Sequence, residues 1–270
     1  MAKERRVSII VLTHNQLDYT KACFDAIFET TAGFELVVVD NASTDGTTDY
    51  LRELDRERRN IRVIYNTRNA GFARGCNQGV SVAKYELLCL LNNDTVPHAG
   101  WLDAMRKVMD KDAGIVGARL LFPDMTLQHA GIAFRLENVG GRTLVRPSHR
   151  YYRQPADLPE ANVLEDVVGV TGACLLTSKR VWHEMGGLDE GYILANYEDV
   201  DFNLKVLQAG YRIIYQPDAV LIHYQNTTVN SKAGQADDPA QYLLQNLVRL
   251  NAKWGSLIRP ALEAAQETPS

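Results

Sequence analysis

Apolar runs that stop abruptly at polar residues recur along the first hundred positions. The run 7–12 (VSIIVL) ends at Thr13, His14 and Asn15, and 35–39 (ELVVV) ends at Asp40 and Asn41. The run 61–65 (IRVIY) ends at Asn66, and 85–91 (YELLCLL) ends at Asn92, Asn93 and Asp94. Short apolar runs bounded by turn residues suit strands buried on both faces, as in a parallel sheet. Between them, apolar residues fall near a 3.6 period over 17–28, more weakly over 47–54, and again over 71–83. This alternation predicts right-handed β-α-β crossovers and an α/β fold with a parallel sheet. Four consecutive strands then deliver polar residues to one carboxyl edge, where open α/β sheets bind ligands. Asn and Asp also start turns and cap helices after strands, which accounts for any one of these sites but poorly for four together. Asp94 puts a carboxylate at the mouth of that crevice, a position suited to a divalent metal.

The second half of the chain is patterned less regularly. Residues 167–177 (VVGVTGACLLT) read as a strand containing Gly172 and Ala173, small residues that permit close approach of a ligand. Ser178 is expected to cap a short helix over 179–185 with Trp182 in the core, closed by Gly186-Gly187. Glu198, Asp199 and Asp201 fall in the first turn of another predicted helix, where acids oppose the helix dipole. Val200, Leu204 and Leu207 mark its buried face, and Gly210 its stop. Residues 126–149 are poorly periodic. Residues 226–238 are polar and small, the composition of a mobile loop, and Asp238-Pro239 is a cap-then-proline start for a last helix. Leu243, Leu247, Leu250 and Trp254 give that helix an apolar stripe expected to pack on the rest of the chain.

Composition narrows the function classes. At 270 residues and 46% hydrophobic, the chain can bury a full core. Its net charge of −4 offers no basic field for nucleic acid. No run reaches the ~18 apolar residues of a membrane span, and the first apolar run is too short for a signal peptide. Cys23, Cys76, Cys89 and Cys174 are scattered in apolar contexts, so they read as buried reduced thiols of a cytoplasmic protein. A dinucleotide fold needs glycines after the first strand, where this chain has Thr13-His14-Asn15-Gln16. There is no P-loop. VVVDNASTDGT differs from a phosphatase aspartate loop because its second acid comes only at Asp45. Ser43, Thr44 and Asp45 are expected to be turn and cap residues.

The ordered set SIIVLTHN, VVVDNASTDGT, NAGFARGCNQG, LLNNDT, VTGACLLTSKRVWHEMGGLDE and YEDVDFNLKVLQAGYRIIYQPDAVLIHY resembles the family 2 glycosyltransferases. It is most like their rhamnosyltransferase-type and O-antigen-type branch. The resemblance runs from about Val7 to His223. It implies a GT-A fold: a Rossmann-like, mostly parallel sheet flanked by helices, an acceptor-side half and a C-terminal helix. Residues 1–225 would form the catalytic domain, nucleotide-binding to about 117 and acceptor-binding from about 118, with 226–270 a loop and helix packed on it.

The activity so implied moves a sugar from a nucleotide-diphosphate donor (UDP, dTDP or GDP) to a hydroxyl, with inversion. The acceptor would be a carbohydrate, or a lipid-linked or protein-linked acceptor. Departure of the diphosphate concentrates charge that Mg²⁺ or Mn²⁺ offsets with few protein ligands. The resemblance assigns the metal to Asp94, which closes a DxD-type motif reading Asn92-Asn93-Asp94, and to His223. That departure from the motif leaves one carboxylate, so affinity for metal without nucleotide should be weak, and an imidazole ligand tilts the preference towards Mn²⁺. Asp40 would accept from the nucleobase. Thr13, Asn15, Asn41, Asn69, Gly71, Phe72 and Asn93 would line the nucleotide-sugar pocket with Gly172 and Ala173. Asp199 of the family's ED motif would be the general base, with Glu198 as its alternate. The helix-cap reading of the same acids stands beside this one. His129 in the pattern QHAG, also found in this branch, reads as structural or as approaching the site. Residues 147–159 (PSHRYYRQPADLP) suit a sugar-stacking loop or a plain surface loop, and 226–238 a lid over the donor. Arg249, Lys253 and Arg259 are few for a membrane anchor, leaving peripheral contact as the lesser reading. The rivals are a nucleotidyltransferase, which usually carries a glycine-rich phosphate loop absent here, and a sugar-nucleotide-binding module without transfer.

Overall fold

The computed structural model describes residues 5–225 and 239–267. Strands β1 (Val7–Thr13), β2 (Phe34–Asp40), β3 (Ile61–Tyr65) and β4 (Leu87–Asn92) alternate with helices α1 (Leu17–Thr30), α2 (Thr47–Glu57) and α3 (Phe72–Val82). All four strands run parallel, in the order β4-β1-β2-β3. Side chains alternate between the two faces, as a period of two requires. Ile9 and Val11 pack with Phe24, Ile27 and Leu51 on one side, while Ile10 packs with Ala73, Val80 and Trp182 on the other. Helix α3 lies so close to the sheet that a Cβ on Gly79 would stand 2.5 Å from Ile10 Cγ2. Helix α2 starts differently from the sequence reading. Gly46 is its N-cap, and Asp45 accepts instead from the N–H groups of Thr47 and Leu17.

The chain continues through β5 (Thr95–Pro97), α4 (Trp101–Val108), β6 (Ala113–Leu121), β7 (Leu127–His129), β8 (Ile132–Val139) and β9 (Arg142–His149). Next come β10 (Glu165–Asp166), β11 (Cys174–Ser178), α5 (Lys179–Glu184), α6 (Glu198–Gln208), β12 (Arg212–His223) and α7 (Pro239–Glu267). These extend one mixed sheet beyond β4 as β11-β6-β12-β10, with β11 antiparallel to both neighbours and β12 parallel to β6. The result is a GT-A fold, an α/β layering whose first half is the parallel sheet read from the sequence.

One expectation is corrected. Residues 167–177 are not one strand, because side chains of α6 take the backbone bonds that a neighbouring strand would take. Asn203 brackets Val170 at both N–H and C=O, and the Gly172 N–H donates to Asp199, so strand pairing starts only at Cys174. The stretch 126–149 is ordered, as β7 and a β8–β9 hairpin pairing Ile132 with His149 through to Val139 with Arg142. Gly140 and Gly141, both at positive φ, make its two-residue turn.

Helix α7 packs on β8 and β9, burying Leu250 and Trp254 against Ile132, Tyr192, Val200 and Leu204, and Leu247 is buried as well. No helix among the described residues is long and apolar enough to cross a membrane. All four cysteines are free and buried. The proposed lid, 226–238, lies outside the described residues.

Candidate active site

A cleft of about 630 Å³ opens at the carboxyl edge of the sheet. Strand register sets its floor: Thr13 is level with Asp40, and Leu12 with Asn92, so β1, β2 and β4 end together. Asn41, Asn69, Phe72, Asn92, Asn93 and Asp94 line it, as do Gly172, Ala173, Glu198, Asp199 and His223.

Asp94 and His223 are brought together by antiparallel pairing of β5 with β12, which sets His223 opposite Thr95. Asp94 Oδ1 and His223 Nε2 stand 3.1 Å apart, both side chains nearly buried. Gln128 fixes the ring. Its Nε2 donates to the His223 main-chain oxygen at 3.0 Å, which leaves Oε1 facing Nδ1 at 2.5 Å. An amide oxygen only accepts, so Nδ1 carries the proton and Nε2 is the lone-pair nitrogen. That lone pair has the Asn92 amide nitrogen at 3.3 Å as a donor as well as facing Asp94, so a metal ion held between His223 and Asp94 would take the place of this amide. A carboxylate oxygen and an oriented imidazole nitrogen fit Mn²⁺ or Mg²⁺ as donors. Among the described residues no group of three or more His, Cys, Asp or Glu could hold a metal, so the remaining ligands would come from substrate phosphates and water.

The two neighbouring acids of α6 differ in surroundings. Glu198 is buried, and that burial, with Asp199 beside it, pushes its carboxyl up to about 8, so it keeps its proton at neutral pH. Asp199 is half-buried and lines the cleft, its Oδ2 accepting from the Gly172 N–H at 2.8 Å. A Cβ at residue 172 would stand 3.2 Å from Asp199 Cβ, so glycine lets the strand entry pass this close. The loop before α6 is strained, with Leu194, Asn196 and Tyr197 all at positive φ. Asn246 of α7 braces it, accepting from Ile193 N–H and donating to the carbonyls of Ile193 and Ala195. The Leu194 carbonyl accepts from Phe72 N–H at 2.5 Å, which ties this loop to the start of α3.

Other residues singled out by sequence do not line the cleft. Asp40 is buried beneath it, accepting from Thr48 Oγ1 at 2.6 Å and Ser43 N–H at 3.1 Å, with Thr13 Oγ1 3.5 Å away. Asn15 is spent on the adjoining loop, accepting from Thr44 N–H and donating its own N–H to Ser43 Oγ. Gly71 lies against Leu194 and turns at positive φ. Leu243, expected in the packing stripe of α7, lines the cleft instead. Sequence reasoning met Gln128 only within the QHAG pattern and His149 only within 147–159, and gave neither residue a role of its own. A two-glycine turn after an alternating run was the available signal for the hairpin that carries His149.

Known proteins resemble this chain in sequence and in fold. The chain is 29% identical over 245 residues to the O-antigen biosynthesis protein RfbC of Myxococcus xanthus, covering 88% of this chain and 18% of that protein. It is 24% identical over 229 residues to an N-acetylglucosaminyl-diphospho-decaprenol L-rhamnosyltransferase of Mycobacterium tuberculosis, covering 77% and 70%. The chain spans only 25% and 18% of the length of two of its curated relatives. Among solved structures, the mannosyltransferase PcManGT from Pyrobaculum calidifontis in complex with GDP-Man and Mn²⁺ superposes with a TM-score of 0.62 at 19% identity, covering 93% of this chain and 64% of that one. Residues 8–182 match the sequence profile of Glycosyl transferase family 2, and the chain belongs to that family.

Proposed function

We propose that this chain is a metal-dependent, inverting glycosyltransferase that moves a sugar from a nucleotide diphosphate to a hydroxyl of a glycan or lipid-linked acceptor. The observation that carries the reading is the pairing of two unlike groups in one cleft. An oriented Asp94–His223 pair and a partly exposed carboxylate, Asp199, line the same cleft. A divalent ion held at Asp94 and His223 would act as a Lewis acid on the leaving diphosphate. Asn41, Asn69 and Phe72 would hold the nucleotide side of the donor. Asp199 would take the acceptor hydroxyl proton as the new bond forms, on the face opposite the departing phosphate, and this in-line arrangement inverts the anomeric carbon. Glu198, whose carboxyl burial pushes up to about 8, is the poorer base at neutral pH. The carbonyl-rich loop 193–197 would exclude water around the reacting centre.

Nucleotide release from UDP-, dTDP- and GDP-sugars with Mn²⁺, with and without chelator, tests the reading. Release that depends on metal and is lost in Asp94→Ala is expected. Nucleotide binding with no release from any donor would leave a sugar-nucleotide-binding module, and pyrophosphate as the released product would indicate nucleotidyl transfer.

A further inference from the structure

His129 and His149 lie in contact, Nδ1 to Nδ1 at 2.7 Å, with their rings edge to face at 86°. Their protons can be assigned from the hydrogen bonds alone. Thr171 N–H donates to His129 Nε2 at 3.2 Å, so that nitrogen carries no proton. A ring keeps at least one, so His129 is protonated at Nδ1 and donates to His149 Nδ1. His149 therefore accepts at Nδ1 and carries its single proton on Nε2. No hydrogen bond among the described residues occupies that Nε2, and His149 lines the cleft together with Asp199. Burial also pushes both rings away from the charged form, His129 well below its usual range.

We propose that His149 presents its Nε2–H to a hydroxyl oxygen of the acceptor sugar beside Asp199, and that His129 is the positioning residue that holds it in this tautomer. The proposal rests on the transferase reading above. The acceptor is favoured over the nucleotide because Asp199 lies close enough to His149 for its charge to act on the ring. An N–H that can only donate selects for an oxygen at one position of the sugar, and a sugar lacking that oxygen leaves it unpaired. A neutral donor also suits this location. An imidazolium here would stabilise the Asp199 carboxylate and weaken it as a base.

Long-range ¹H–¹⁵N NMR of the ¹⁵N-histidine-labelled chain at pH 7 reads the tautomers without substrate. The expected result is Nδ1–H for His129 and Nε2–H for His149, and an Nδ1–H or doubly protonated His149 would overturn the proposal. In His129→Phe the His149 signal should become a mixture of tautomers. For transfer, the donor found by the nucleotide-release panel is used with p-nitrophenyl glycosides as acceptor probes and with water alone. His149→Phe should raise the acceptor KM about 3–10-fold, the size of one lost hydrogen bond. Nucleotide release to water should fall less than transfer does, and His149→Gln, which restores an N–H donor, should recover most of the acceptor effect. An equal loss in the water reaction would put the contact on the donor sugar, and an unchanged acceptor KM would remove the contact altogether. Wild-type protein that releases nucleotide from no donor would sink the transferase reading, with the tautomer result standing on its own.

Discussion

Glu198 and Asp199 are neighbours in sequence, yet water reaches only one of them, and this divides their chemistry. Asp199→Asn should keep fold and nucleotide affinity while kcat falls about 10²–10⁴-fold, the usual cost of losing a general base. If the acid only supported the helix dipole, the same variant would lose roughly 0.3–1 kcal/mol of stability and keep its turnover. Melting temperature, donor affinity and kcat on one sample separate the two. Glu198 gives a pH signature instead. Its carboxyl titrates near 8 when folded and near 4.5 as a free side chain, so between those values the folded state holds a proton that the unfolded chain lacks. Stability should therefore fall as pH rises from about 4.5 to 8 and level off beyond. Glu198→Gln should flatten that slope in thermal melts taken across the range, and an unchanged slope would move its origin elsewhere. The positions of Asp94, Asp199 and His223 beside element ends were legible in the sequence, while the roles proposed for them came from the family resemblance. Gln128 and His149 were not legible, because what defines them is a partner 95 positions away in one case and 20 in the other.

Among the elements, α6 and α7 act as a pair. Asp201 of α6, fully buried, accepts from Trp254 Nε1 at 2.8 Å and pairs with Lys205 and Lys253. One turn of acids thus serves three ends: a protonated carboxyl inside, a carboxylate in the cleft and an anchor for the last helix. The apolar stripe of α7 was readable from its spacing, but the clamp at Asn246 was not, since a lone Asn between apolar residues carries no periodic signal. Asn246→Ala would strip partners from three backbone groups of a strained loop. The expected cost is about 1–3 kcal/mol, with faster hydrogen exchange confined first to residues 193–197. Exchange in that loop equal to wild type would show that its conformation is held from elsewhere. The β-α-β units were legible because each strand is apolar on both faces and each helix on one. The β8–β9 hairpin was obscured because its residues are mostly half-exposed, and burial is what writes periodicity into a sequence.

Across the whole molecule, the Asp94–His223 pair joins two parts of one sheet. Asp94 follows β4, the last strand of the parallel half, whereas His223 closes β12 on the far side of β11 and β6. Ligands that bind only the folded state stabilise it by RT ln(1 + [L]/Kd), about 2.7 kcal/mol at a hundredfold excess over Kd. For a chain of this size each kcal/mol shifts the melting temperature by about 2–4 °C. A nucleoside diphosphate with Mn²⁺ should therefore raise a single unfolding transition by several degrees, because the shared ion couples both parts. Either component alone should do much less, since one carboxylate and one imidazole hold a free ion weakly. Asp94→Ala should abolish the combined shift and His223→Ala should reduce it, while Asp199→Asn, on the acceptor side, should retain it in full. Gln128→Leu should also weaken the Mn²⁺-dependent part, about 10–100-fold in metal affinity, because the ring would lose the partner that points its lone pair at Asp94. A full shift in Asp94→Ala, or a shift independent of Mn²⁺ in the wild type, would detach the metal from this pair and leave nucleotide binding to the loops after β1, β2 and β3.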